Sequence, residues 1–157
     1  MVHKKILRMN VLKIKKNLGF TLIELLVVIT ILGLLSTVGL GSFRSSQIKG
    51  RDAQRKHDLG QIQKALEMYF NDYGKYPSTG ELPAGGVEWE DAQGTLYMKS
   101  VPGDPRGGSY CYESSDGTYY KLYAKLENEN DPKIIDLPDS SACNDSNYGV
   151  SSTNTEP

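Results

Sequence analysis

Phe20-Thr21-Leu22-Ile23-Glu24-Leu25-Leu26-Val27-Val28-Ile29-Thr30-Ile31-Leu32-Gly33-Leu34-Leu35-Ser36-Thr37-Val38-Gly39-Leu40-Gly41-Ser42-Phe43 is a run of 24 residues with one ionisable side chain, Glu24. As a helix rising 1.5 Å per residue it spans roughly 30 Å or more, enough to cross a bilayer. Residues 1–19 carry six bases (Lys4, Lys5, Arg8, Lys13, Lys15, Lys16) and no acid. The positive-inside rule therefore keeps that end cytoplasmic and sends everything after Phe43 to the other side. The apolar run is longer than the roughly 7–15 residues of a secretory signal, and no Ala-x-Ala-like site follows it. It reads as an anchor that stays with the chain.

Glu24 is what a plain anchor leaves unexplained. A carboxylate in a membrane helix costs about 2–3 kcal/mol on insertion scales, so such a group is paired, functional or close enough to the interface to stay wet. Two readings stand: Glu24 snorkels to water, or it pairs with a cation that a neighbour in an assembly supplies.

Lys16-Asn17-Leu18-Gly19-Phe20-Thr21-Leu22-Ile23-Glu24-Leu25-Leu26-Val27-Val28-Ile29 resembles the class III leader and N-terminal helix of type IV pilins and type II secretion pseudopilins. The shared pattern is a basic leader, Gly, Phe, a Glu four residues on, and an unbroken apolar run. The resemblance implies cleavage between Gly19 and Phe20 by a prepilin peptidase and methylation of the new Phe20 amine. It implies that Glu24 faces the Phe20 amine of an adjacent subunit, which would supply the missing cation and set subunit stagger, because misregister leaves both charges unpaired. One departure is that many members break the helix with a proline near position 41, where this chain has Gly39 and Gly41, with Gly33 earlier. Glycine weakens a helix by about 1 kcal/mol against about 3 for proline. Local melting on polymerisation and simple close helix packing both remain open for these glycines.

Beyond Phe43 the composition changes. Arg44–Lys56 holds five bases (Arg44, Lys49, Arg51, Arg55, Lys56) and one acid, Asp52, whereas from His57 onward seven bases face seventeen acids. The basic stretch reads either as a solvated or headgroup-facing surface, or as a surface that meets acidic heads of neighbouring subunits. Leu59, Ile62, Ala65, Leu66, Tyr69, Phe70 and Tyr73 then recur at helical spacing as one stripe. No proline occurs between 20 and 76, so one helix from about 21 to 73 is expected, stopped at Gly74 and kept from resuming by Pro77.

The stripe needs a partner, which the C-terminal half must provide. Tyr110–Tyr112, Thr118–Leu126 and Lys133–Leu137 are strand candidates, with Val87–Trp89 as an optional edge. In Thr118–Leu126 the residues Tyr120, Leu122, Ala124 and Leu126 alternate onto one face. Ser114–Gly117 reads as a hairpin loop and Asp104-Pro105-Arg106-Gly107 as a turn. Tyr76-Pro77-Ser78-Thr79 and Pro102-Gly103-Asp104-Pro105-Arg106-Gly107 also resemble segments of major pseudopilins. The expected fold is α+β: a long N-terminal helix, membrane-spanning in its first half and amphipathic in its second, on a small antiparallel sheet. The divisions expected are a leader (1–19), an apolar half-helix (20–43), an amphipathic half-helix (44–73), a head (74–146) and a flexible Ser/Thr/Asn-rich tail (147–157).

Cys111 and Cys143 fall in the part expected outside the cytoplasm, where an even count in a small head favours a disulfide over two buried thiols. Many pilins close a C-terminal loop this way, and most major pseudopilins do not. The Ser-x-Gly-x-Asp-Gly calcium run common in pseudopilins is missing. Glu129, Asp131, Asp136, Asp139 and Asp145 offer oxygen ligands for calcium, or else form a solvated acidic loop. Asn144-Asp145-Ser146 fits a glycosylation sequon.

No nucleophile elbow, phosphate loop or metal-ligand cluster is visible, and His57 stands alone, so the chain reads as a non-enzyme. The acidic head argues against nucleic acid as a partner. The leading expectation is a subunit of a type IV pilus-like filament, inserted in the inner membrane before it assembles at the cell surface. Its partners would be copies of itself, the prepilin peptidase, membrane lipid, and an inner-membrane platform with its ATPase. The alternative is a type II secretion major pseudopilin in a periplasmic pseudopilus, and a third reading is a monomeric anchored binding module. The Tyr-Pro and Asp-Pro segments favour the pseudopilin lineage, whereas the cysteines and the missing calcium run favour the pilus subunit.

Overall fold

The computed structural model describes residues 19–137, 143, 145–153 and 157. One helix, α1 (Leu22–Tyr73), leads into five short strands: β1 (Trp89–Glu90), β2 (Leu96–Met98), β3 (Cys111–Glu113), β4 (Lys121–Ala124) and β5 (Tyr148–Ser151). The chain divides into two compact units at Gly41/Ser42.

In the first unit α1 starts where it does because Thr21-Leu-Ile-Glu24 is a capping box. The Glu24 Oε2 accepts from the Thr21 amide at 2.8 Å, and the Glu24 amide donates back to Thr21 Oγ1 at 3.3 Å. An acid in the first turn also suits the positive end of the helix dipole. Leu22, Ile23, Leu25, Leu32, Leu35 and the other described apolar side chains of this unit lie on the surface. The hydroxyls of Thr30, Ser36 and Thr37 donate to carbonyls one turn back, at 2.7 Å each, so they carry no unmet donor into an apolar medium. This is a helix long and apolar enough to cross a membrane. It runs through Gly33, Gly39 and Gly41 without interruption.

In the second unit the apolar stripe is the core face of α1. Leu59, Ile62, Ala65 and Leu66 are at most 3 % exposed, and they pack with Tyr120, Leu122, Ala124 and Leu126 from the head. Those four are the alternating face expected of Thr118–Leu126. Tyr69 packs at the edge of this core, and Phe70 and Tyr73 are partly open. Gly74, at φ +67°, ends the helix by donating to the Phe70 carbonyl at 2.7 Å, a left-handed cap that a side chain would strain.

The strands form two antiparallel sheets, β1-β2 and β3-β4-β5. In the larger sheet Tyr112 pairs with Leu122, and Leu122 with Val150. This corrects the expectation in two places. Lys133–Leu137 is not a strand: Asp131 and Ile134 donate to carbonyls three residues back, curling the chain, and Ile135 makes a single bond to Asn147. The third strand instead comes from residues assigned to a flexible tail. Tyr148 is buried, Val150 packs against the core, and the Tyr148–Ser151 backbone completes the open edge of β4. A small strand pair, β1-β2, forms around the Val87–Trp89 edge candidate, with β2 unforeseen.

Candidate functional site

Two charged features stand out, a lone carboxylate in the first unit and a cluster in the second. In the first unit the Glu24 carboxylate accepts from both the Thr21 amide and the Thr21 hydroxyl, the latter at 2.6 Å. Beside it Phe20, Ile23, Val27 and Val28 line an apolar groove. Among the described residues of this unit Glu24 is thus the one charge on an otherwise apolar surface, already bonded within its own chain. Gly19 and Phe20 precede the helix, and Phe20 is 84 % exposed. The leader before Gly19 lies outside the described residues.

The cluster in the second unit was not legible as a site. Asp52 and Arg55 are 3 % and 2 % exposed. They are buried because the core stripe does not stop at Leu59. Counting back from Leu66 through Ile62 and Leu59, the same three- and four-residue steps land on Arg55 and Asp52. The two charges therefore face the head, which supplies their partners. Arg55 donates Nε and Nη2 to the two carboxylate oxygens of Asp104, at 2.6 and 3.0 Å. Its Nη1 donates to Asp52 and to Glu127, both at 2.8 Å. Arg51 grips Glu127 with two further bonds, at 2.7 and 2.6 Å. Asp52 in turn accepts the backbone amides of Glu127 and Asn128, both at 2.9 Å. With Arg106 at the rim, three guanidiniums face three carboxylates.

The electrostatics follow from those contacts. The hydrogen bond from Arg55 holds Asp104 below its ordinary value, and the same bond raises Arg55. Hydrogen bonds from Arg51, then Arg55, hold Glu127 at about 2. Lys56 donates to Asp131 at 2.6 Å and lowers it. So both readings of the basic stretch need correction at three of its bases. Arg51, Arg55 and Lys56 meet acids of their own head, and Arg44 and Lys49 remain on the surface.

Acids further along α1 accept tyrosine hydroxyls from the head. Tyr110 donates to Asp58 at 2.8 Å, Tyr76 to Glu67 at 3.1 Å and Tyr97 to Asp72 at 2.9 Å. Burial, then the neighbouring carboxylate, pushes Tyr76 up to about 12 and raises Tyr110 and Tyr97 also. Near the end of α1, burial alone would raise Asp91. Hydrogen bonds from Thr95, Tyr73 and Gln93 outweigh it and hold that carboxyl at about 2.

Cys111 and Cys143 form a disulfide, with Cα atoms 5.8 Å apart. It ties β3 to the segment that leads into β5. Of the proposed calcium ligands, Asp131 engages Lys56 and Asp145 engages Lys125, while Glu129 and Asp136 are exposed. Asp139, and Asn144 of the sequon, lie outside the described residues. No three metal-ligating side chains converge among the described residues. His57 is exposed.

Comparisons with known proteins agree with this division of the chain. A profile of the prokaryotic N-terminal methylation motif matches residues 14–40. A profile of type II secretion system protein G matches residues 43–129. Type II secretion system core protein G of Escherichia coli K12 is 31 % identical over 127 residues, covering 73 % of this chain and 85 % of that protein. The protein of the same name from Pseudomonas aeruginosa is 33 % identical over 105 residues, 62 % of this chain and 74 % of that protein. The one from Vibrio cholerae is 31 % identical over 108 residues, 65 % and 74 % of the two chains. No solved structure matches significantly.

Proposed function

The chain belongs to the type II secretion system protein G family, and on that premise we propose that it is the major pseudopilin of a periplasmic pseudopilus. The family is structural rather than enzymatic. This favours the alternative of the sequence analysis over its leading expectation, a surface pilus. In the proposed sequence of events the chain enters the inner membrane through Phe20–Phe43. A prepilin peptidase cuts between Gly19 and Phe20, and the Phe20 amine is methylated. Subunits then polymerise through α1, drawn from the membrane by the inner-membrane platform and its ATPase.

The observation that carries this reading is the first unit itself. It is a helix whose described apolar side chains are bare, beginning at the processing motif and holding one acid, Glu24. Such a surface needs lipid before assembly and other copies of itself afterwards. Glu24 leaves its bond to Thr21, or shares it, when the Phe20 ammonium of the next subunit arrives. In a low-dielectric bundle that pair fixes the stagger between copies.

The test is intact-mass spectrometry of the chain produced with a prepilin peptidase and a type II secretion platform. A methylated species starting at Phe20, recovered in sheared filaments, is expected. A full-length chain confined to membranes would refute the proposal and leave the anchored binding module in front.

A further inference from the structure

Four of the five bases in Arg44–Lys56 have an acid close by in their own chain. Arg51 and Arg55 hold Glu127, and Lys56 holds Asp131. Lys49 shares a depression with Glu127 and Glu129. Among the described residues Lys49 makes no ion pair there, and Arg44, which is exposed, has neither an ion pair nor a place in that depression.

The same unit has a groove of about 380 Å³ beside the last turns of α1. Its wall is aromatic: the exposed Tyr73 ring stacks on Tyr69 at 4.5 Å between centroids, and Tyr69 in turn stacks on the buried Trp89 at 5.7 Å. Glu81, Glu90 and Asp91 also line it, and no base does. Asp91 is pinned by the Tyr73 and Tyr97 hydroxyls and by two backbone amides, so its charge is fixed in place. A flat aromatic face with carboxylates beside it suits a guanidinium, which stacks and pairs at once.

We propose that this groove receives Arg44 of a second copy of the chain. Arg44 cannot reach the groove of its own chain: Tyr69 lies 25 residues further along the same helix, roughly 40 Å away at 1.5 Å per residue. Groove and guanidinium therefore occupy separate surfaces of one molecule. A contact between such surfaces is heterologous. Each copy offers its Arg44 to one neighbour and its groove to another, and the chain of contacts extends without closing. The contact rests on the filament reading above and adds an interface between heads and helices to it.

The test uses the full chain in membranes with its platform. Copies carrying Arg44→Cys are mixed with copies carrying Ala92→Cys, an exposed groove position, and treated with a short thiol crosslinker. The native cysteines are already paired with each other. A dimer band is expected in the mixture and in neither variant alone. Arg44→Glu should cut filament yield about tenfold, and adding Glu90→Arg in the same chain should recover most of it. Emission from the buried Trp89 checks that each variant is folded. Abundant wild-type filaments, no crosslink and no loss with Arg44→Glu would overturn this contact alone. Absence of wild-type filaments would overturn the filament reading and the contact with it.

Discussion

Replacing Glu127 with Gln tests whether the buried charge cluster holds the head to α1. The carboxylate accepts two bonds from Arg51 and one from Arg55. Its pKa is about 2 against an ordinary 4.5. By linkage the charged form then contributes about 2–3 kcal/mol at neutral pH, taking the lower part of the range because Arg51 is partly solvated. Gln keeps the shape and one acceptor but loses one or two charge-assisted bonds, each worth about 1.5–3 kcal/mol. The assay is urea unfolding of the full chain in mild detergent, followed through Trp89, the single tryptophan, which is 4 % exposed. With a slope near 1.5 kcal/mol/M, the midpoint should fall by roughly 1.5–2 M. The pH dependence adds a second constraint. A carboxyl lowered on folding stabilises fully above its unfolded pKa and loses that contribution as pH falls through the folded value. The gap between wild type and variant should therefore be constant from neutral pH down to about 5, then close between about 4.5 and 2. A gap below about 0.5 kcal/mol at pH 7, or one unchanged by acid, would mean that the cluster behaves as ordinary surface pairs and the reasoning fails.

Three other outcomes are expected. Cys111→Ser with Cys143→Ser should lower head stability by about 3–4 kcal/mol for a bridge across 32 residues, read in the same unfolding assay against oxidised wild type, and reduction should bring wild type down to the variant's level. Leu122→Ala empties a fully buried site between α1 and the sheet and should cost about 2–5 kcal/mol; a smaller loss would mean the core repacks around it. Glu24→Gln keeps a side chain able to cap Thr21 but removes the charge, so the helix should start as before while filament formation is lost. Wild-type filament yield from that variant would rule out the role of Glu24 in setting stagger.

Much of the architecture is legible because it follows from period and length. Twenty-four residues with a single ionisable side chain make a membrane-length helix whatever follows, and the stripe from Leu59 to Tyr73 must find a cover. The alternation at Tyr120, Leu122, Ala124 and Leu126 names the face that covers it. The N-terminal methylation motif is local too, a pattern of neighbouring residues.

Other features depend on pairings between residues far apart in sequence, and no local pattern reports those. Val150 pairs with Leu122 across 28 positions, so a Ser/Thr/Asn-rich stretch that looks unstructured becomes β5 once β4 offers an open edge. Asp52 and Arg55 look like solvated charges because, read locally, ionic residues end an apolar stripe. They are buried because Asp104 and Glu127, 49 and 72 residues beyond Arg55, arrive to neutralise them. A buried charge is tolerated only with its partner in place. The sequence by itself determined the anchor, the processing motif and the core face of the helix. Only the tertiary structure decided which charges enter that face and which strand closes the sheet.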